Sequence, residues 1–178
     1  MTAKRLITLP LVAVLLLVLS PVRAAEEGTV QAILPWDGEG RIFQIDTNRL
    51  QFLGELEGIM YAENHEGKLN EAYVQCPIVQ ILDLEAGKTE AVGHCEITVG
   101  PEDVVYARMD CEGVPGGGGC TGSFKLIDGE GRFAGVTGEG SLRVRSPLRA
   151  IAGGLGSGDL VRVATGLAVI TDLKFKIP

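Results

Sequence analysis

From about residue 28 onward the chain is a succession of short apolar–polar alternations, each ended by a glycine-bearing turn, and no stretch carries the 3.6-residue period of an amphipathic helix. A side-chain period of two commits such a chain to strands. Most of the 25 glycines punctuate these stretches. The alternation predicts strands near 28–34, 41–46, 50–62, 72–83, 89–99, 104–112, 119–127, 132–136, 139–145 and 159–171, with a last extended piece at 173–177. "SPLRAIAGG" at 146–154 has room for one helical turn, but its glycines weigh against it. Ten or so strands in one domain make an all-β antiparallel barrel or sandwich. Gly54, Gly58, Gly135 and Gly138, read as lying inside strands, favour the barrel of about 8–10 strands, because closure demands local bends.

The segment before the first strand has a different character. Lys4 and Arg5 precede an apolar run from Leu11 to Leu19, bracketed by Pro10 and Pro21, with Val22 and Ala24 at a small-residue cleavage pattern. Residues 1–24 are therefore expected to be a signal peptide, and 25–178 a single barrel domain. The apolar core falls short of the ~20 residues a membrane span needs, so no transmembrane segment is expected in the mature chain. Cleavage takes Lys4, Arg5 and Arg23 out of 16 basic residues, leaving 13 against 23 acidic ones. That balance repels phosphate backbones, and nucleic acid is not an expected partner. The expected location is periplasmic or secreted.

Export matters for Cys76, Cys95, Cys111 and Cys120, because an even number of cysteines in an oxidising compartment argues for disulfides. Their spacings of 19, 16 and 9 lack the close pairs of a zinc site, so no metal is expected, with His65 or His94 or without them. If residue 83 faces 88 across a hairpin at "LEAG", Cys76 faces Cys95. A slightly offset turn at "GPED" brings Cys95 opposite Cys111, and a turn at "VPGG" brings Cys111 opposite Cys120, giving one row of four thiols. Three connectivities remain open on this reading; Cys76–Cys95 with Cys111–Cys120 is favoured because it joins neighbours on both sides.

"DGEGR" occurs at 37–41 and again at 128–132. Neither copy carries the further ligands of a calcium loop, and Arg41 and Arg132 would oppose a cation. Asp-Gly favours a tight hairpin turn, with "FKLI" and "RFAGV" as the strands flanking the second copy. The sequences diverge after the aromatic that follows each copy, so the echo is read as the same turn chemistry used twice.

The stretch "CTGSFKLIDGEGRFAGVTGEGSL" at 120–142, with Gly122, Phe124, Gly129, Gly131, Phe133, Gly135, Val136, Thr137, Gly138 and Gly140, resembles small exported bacterial barrels related to the allene oxide cyclases and dirigent proteins. "VVYARMDCEGVPGGGGC" at 104–120 is similar to the strand leading into that hairpin. The resemblance covers about forty residues and departs from the pattern at Glu130. It implies an antiparallel barrel with an apolar interior and carries over no catalytic residue.

No hydrolase elbow, metalloprotease helix, phosphate loop or dinucleotide fingerprint occurs, so no catalytic residue and no cofactor is assigned. His65 in "AENHEG" and His94 beside Cys95 are read as structural. "LVRVATGLAVI" at 160–170 is read as barrel wall. A barrel of this size has room for one small ligand, which makes Trp36, Phe43, Phe52, Phe124 and Phe133 candidate lining residues. Glu55 and Glu57 share one strand face, and with Tyr61 they form the candidate polar patch if that face turns inward. The expected function is non-catalytic: binding a small apolar ligand or an envelope protein. The alternatives are a cyclase- or dirigent-like enzyme and a structural envelope protein.

Overall fold

A computed structural model describes residues 25–64, 69–146 and 160–178, with only the strand course given at 64, 69 and 160–163. The expected signal peptide, His65 and residues 147–154 of the candidate helical turn lie outside the described residues. Eight strands follow one another: β1 (Glu26–Gln44), β2 (Arg49–Asn64), β3 (Leu69–Asp83), β4 (Lys88–Gly100), β5 (Asp103–Gly113), β6 (Gly119–Gly129), β7 (Thr137–Arg145) and β8 (Leu160–Ile177). Each pairs antiparallel with the next, and β8 returns to β1, closing the barrel. No edge is left to recruit another chain. Among the described residues no helix is long and apolar enough to cross a membrane.

Alternation decides which side chains fill the barrel. On β4, Thr89, Ala91, Cys95 and Ile97 are buried while Glu90, His94 and Glu96 are exposed. On β5 the buried set is Val105, Ala107, Met109 and Cys111. One continuous core follows, with Val74, Ala107 and Ile170 fully inaccessible.

Two expected strand breaks and one expected strand are corrected. The predicted pieces 28–34 and 41–46 are one strand, because Leu34, Trp36, Gly38 and Ile42 keep the inward parity while Asp37, Glu39 and Arg41 point out. Through this stretch β1 pairs on both sides, Trp36 with Gly58 of β2 and with Gly166 of β8. The pieces 159–171 and 173–177 are likewise one strand; Asp172, with φ 53°, marks a bulge that the pairing crosses from Ala32↔Ile170 to Val30↔Leu173. Conversely, 132–136 is not a strand. Gly131 and Gly135 have φ of 64° and 74°, and the chain makes a 3₁₀ turn at Gly131–Phe133 before β7 begins. Gly135 thus serves that turn and no strand bend.

Both favoured disulfides are present. Asp83 faces Lys88 as the register argument requires, and Cys76 is bonded to Cys95 with 4.1 Å between Cα atoms. Cys111 is bonded to Cys120 at 5.5 Å, although its ladder partner is Gly122 and that of Cys120 is Gly113. The single row of four thiols is corrected: Cys95 faces Ala107, and Cys111 faces Ala91. A one-residue irregularity between Thr98 and Gly100 and the short turn after it set that register. Two disulfides are the mark of a chain that folds in an oxidising, extracytoplasmic compartment.

The barrel has two unlike ends. At one, by the start of β1 and the end of β8, Val74, Ile97, Val105, Leu126, Val136 and Ile177 are buried in the core. At the other lie the β1–β2, β3–β4 and β5–β6 connections, and there the described residues leave an opening.

Candidate functional site

The open end leads into a cavity of about 320 Å³ inside the barrel. Its wall is mainly hydrocarbon. Trp36 and Ile42 come from β1, Phe52 and Leu56 from β2, Ile78, Gln80 and Leu82 from β3, Thr89 and Ala91 from β4, Met109 from β5, Val144 from β7 and Ala164 from β8. Val114, Pro115, Gly116 and Gly118 of the β5–β6 connection form one side of the rim. The Cys111–Cys120 bond spans the base of that connection, and Cys120 itself faces the cavity. It ties down a loop that its glycines would otherwise leave free.

Two aromatic–glycine arrangements keep the lumen open. The Trp36 indole lies flat against Gly166 on the neighbouring strand, where any Cβ would collide with its Cζ2 and Cε2 atoms. The Phe52 ring covers the paired glycines Gly40 and Gly54 in the same way. Rings that rest on bare backbone cover the glycine and leave the barrel axis clear. Side chains on those glycines would push both rings inward and fill the space.

Polar groups in the wall are few. Gln80 Nε2 donates to Thr89 Oγ1 at 2.8 Å, and Thr89 is the one buried polar side chain among the described residues. Ser146, at the mouth, donates its hydroxyl to the Thr165 carbonyl at 2.8 Å. The Trp36 Nε1–H is buried and has no hydrogen-bond partner among the described residues. Leaving such a donor unsatisfied costs roughly 1–3 kcal/mol. None of the described lining residues can carry a charge, since Cys120 is in a disulfide. A shallow groove on the outside, lined by Pro35, Asp37, Arg145 and Leu167 among others, shares Trp36, Gly118 and Ser146 with the cavity.

Parity divides the residues expected at the site. Trp36 and Phe52 line the cavity. Phe43, an odd-numbered neighbour on β1, is half-buried outside, because residues 36 and 43 cannot face the same way on a regular strand. Glu55, Glu57 and Tyr61 oppose Phe52 on β2 in the same sense, so that face does not turn inward and the three stand on the outer face. There Tyr73 donates to Glu57 at 2.9 Å, which raises the Tyr73 pKa, and Gln75 donates to Glu55 at 3.2 Å. Phe124 is buried in the core away from the cavity. Phe133 sits in the 3₁₀ turn with the Arg132 guanidinium 4.7 Å from its ring centre.

Of the wall, sequence reasoning finds Trp36 and Phe52 and misses the rest, Gln80, Thr89 and Ala91 among them. A signal for them exists: a bonded Cys76–Cys95 pair inside the barrel places Ile78, Gln80 and Leu82 inward by twos from Cys76, and Ala91 and Thr89 inward by twos from Cys95.

On the outer face, Arg108 makes a two-point pair with Asp110 at 2.6 and 2.8 Å, which lowers the Asp110 pKa with a smaller contribution from His94. Asp46 in the β1–β2 turn is lowered first by the backbone N–H of Asn48 and then by Arg49. Among the described residues no group of three or more His, Cys, Asp or Glu side chains is placed to hold a metal ion. No protein-family model, curated protein or solved structure matches the chain.

Proposed function

We propose that the protein is an exported, periplasmic or secreted, binding barrel that holds a small apolar molecule in the cavity at its open end. The observation that carries this reading is the cavity itself: a lumen of about 320 Å³ walled by hydrocarbon. Small-molecule sites run from about 300 Å³ upward and have the same make-up, apolar walls with a few fixed polar groups. An apolar void of about 150 Å³ takes a single benzene ring, so this one suits about a dozen non-hydrogen atoms.

Kinship with the allene oxide cyclase and dirigent barrels belongs to the same proposal. A closed antiparallel barrel with an apolar interior supports it. A wall without ionisable side chains among the described residues favours holding a molecule over acid–base chemistry on it. Native mass spectrometry of protein exported into an oxidising compartment tests the proposal. A non-protein mass that is lost on denaturation and absent from an Ala91→Phe variant is the expected result. Recovery of the same mass from that variant would place the ligand elsewhere and refute it.

A further inference from the structure

Given that the cavity is a binding site, which this inference takes from the proposal above, its wall also specifies the chemistry of the occupant. We infer that the ligand is uncharged and carries a hydrogen-bond acceptor, such as a carbonyl or ether oxygen, on an otherwise hydrocarbon frame of about a dozen non-hydrogen atoms.

Charge is decided by what the wall lacks. The described residues around the cavity include no Lys, Arg, His, Asp or Glu. An ionised ligand would leave water for a site with no counter-charge among its described residues, and ions avoid such sites or neutralise on entering them. The polar group that decides the match is Thr89, paired with the Gln80 amide in the wall. Trp36 Nε1–H has no partner among the described residues, but the atom is buried and offers no surface to the cavity. Thr89 is 6% exposed and uses its oxygen to accept from Gln80, which leaves the hydroxyl proton for a further acceptor. Ser146, by contrast, already spends its proton on Thr165. A pure hydrocarbon would leave the Thr89 proton unused, whereas an oxygen acceptor brought in by the ligand would receive it.

Three probes of about a dozen non-hydrogen atoms separate the possibilities: 2-undecanone, decanoate and biphenyl, each titrated at pH 7 into the wild-type protein by calorimetry. The ketone is expected to bind at least about tenfold more tightly than decanoate. Thr89→Val, which keeps the shape of the wall, is expected to weaken the ketone about three- to tenfold more than it weakens biphenyl, and Thr89→Ser to bind the ketone as the wild type does. Decanoate binding as tightly as the ketone, or Thr89→Val weakening ketone and biphenyl alike, would overturn the inference and leave the binding barrel standing. Failure of all three probes would remove the binding reading itself.

Discussion

The two ends of this barrel are built from the same eight strands and the same alternation, yet one is solid and the other hollow. At the solid end, Val74, Ile97 and Val105 stand side by side on β3, β4 and β5, and they and Val136 are buried. At the hollow end, the bulky groups are aromatic rings laid flat over Gly40, Gly54 and Gly166, and the remaining wall includes the small Ala91 and Ala164. A lumen thus arises from where glycine and alanine stand opposite large residues, with no change in backbone architecture. The solid end supplies cohesion; the hollow end gives up packing and gains a site.

Substitutions that delete volume should separate the ends most. Ile170→Ala, at a fully buried position away from the cavity, is expected to cost about 2–5 kcal/mol in chemical denaturation. Ile42→Ala, at the cavity wall, should fall at or below the bottom of that range, because its side chain already lacks neighbours on one side. Equal costs would mean that the open end is not hollow in solution.

Removing the rim disulfide by Cys111→Ser with Cys120→Ser is expected to cost roughly 2–4 kcal/mol. Because that bond secures the connection carrying Val114 and Pro115, ligand affinity should fall as well. The corresponding change at Cys76 and Cys95 should affect stability with little direct effect on the rim, as neither residue lines the cavity. A rim variant that binds as the wild type does would detach the loop from the site.

Adding volume reverses the comparison. Ala107→Leu, at the solid end, should cost about 1–3 kcal/mol through overpacking. Ala91→Leu, into the lumen, should leave stability near wild type and weaken binding. Thermal melts alongside a ligand titration read both quantities.

The smallest effects belong to the outer face. Asp46 and Asp110 have pKa values lowered by their partners, so the stability they contribute is present above the ordinary aspartate range and is lost as pH falls through their folded values. Both side chains are well exposed, at 40% and 44%, which keeps that contribution small. The gap in melting temperature between wild type and Asp110→Asn should be slight at pH 7 and close at pH 2; a gap that widens in acid would contradict the assignment.

Fold and disulfides are legible in the sequence because both follow from parity and turn spacing. The hairpin around "LEAG" is short, and its register carries Cys76 to Cys95 with nothing to disturb it. The step from Cys95 to Cys111 is not legible, since it depends on an irregularity at Thr98–Gly100 that no residue pattern announces. "DGEGR" shows the same limit. At 128–132 it ends β6 and enters a turn, with Asp128 accepting from the N–H of Gly129 and Gly135. At 37–41 the same five residues run straight through β1, held by strands on both sides. Tertiary pairing overrides the local turn preference there. Among the candidate lining residues, Trp36 and Phe52 are found from their size, while Glu55 and Glu57 mislead because two carboxylates on one face say nothing about which face it is.

Trp36 is the only tryptophan in the chain and forms part of the cavity wall, so its fluorescence reports directly on occupancy. Titration of 2-undecanone into the wild-type protein and into Ala91→Phe, with melting curves for both, tests the hollow end most directly. A saturable change in Trp36 emission in the wild type, abolished in a variant that still melts cooperatively near the wild-type temperature, is the predicted result. No saturable change in the wild type, or the same change in both proteins, would contradict a binding site within the barrel.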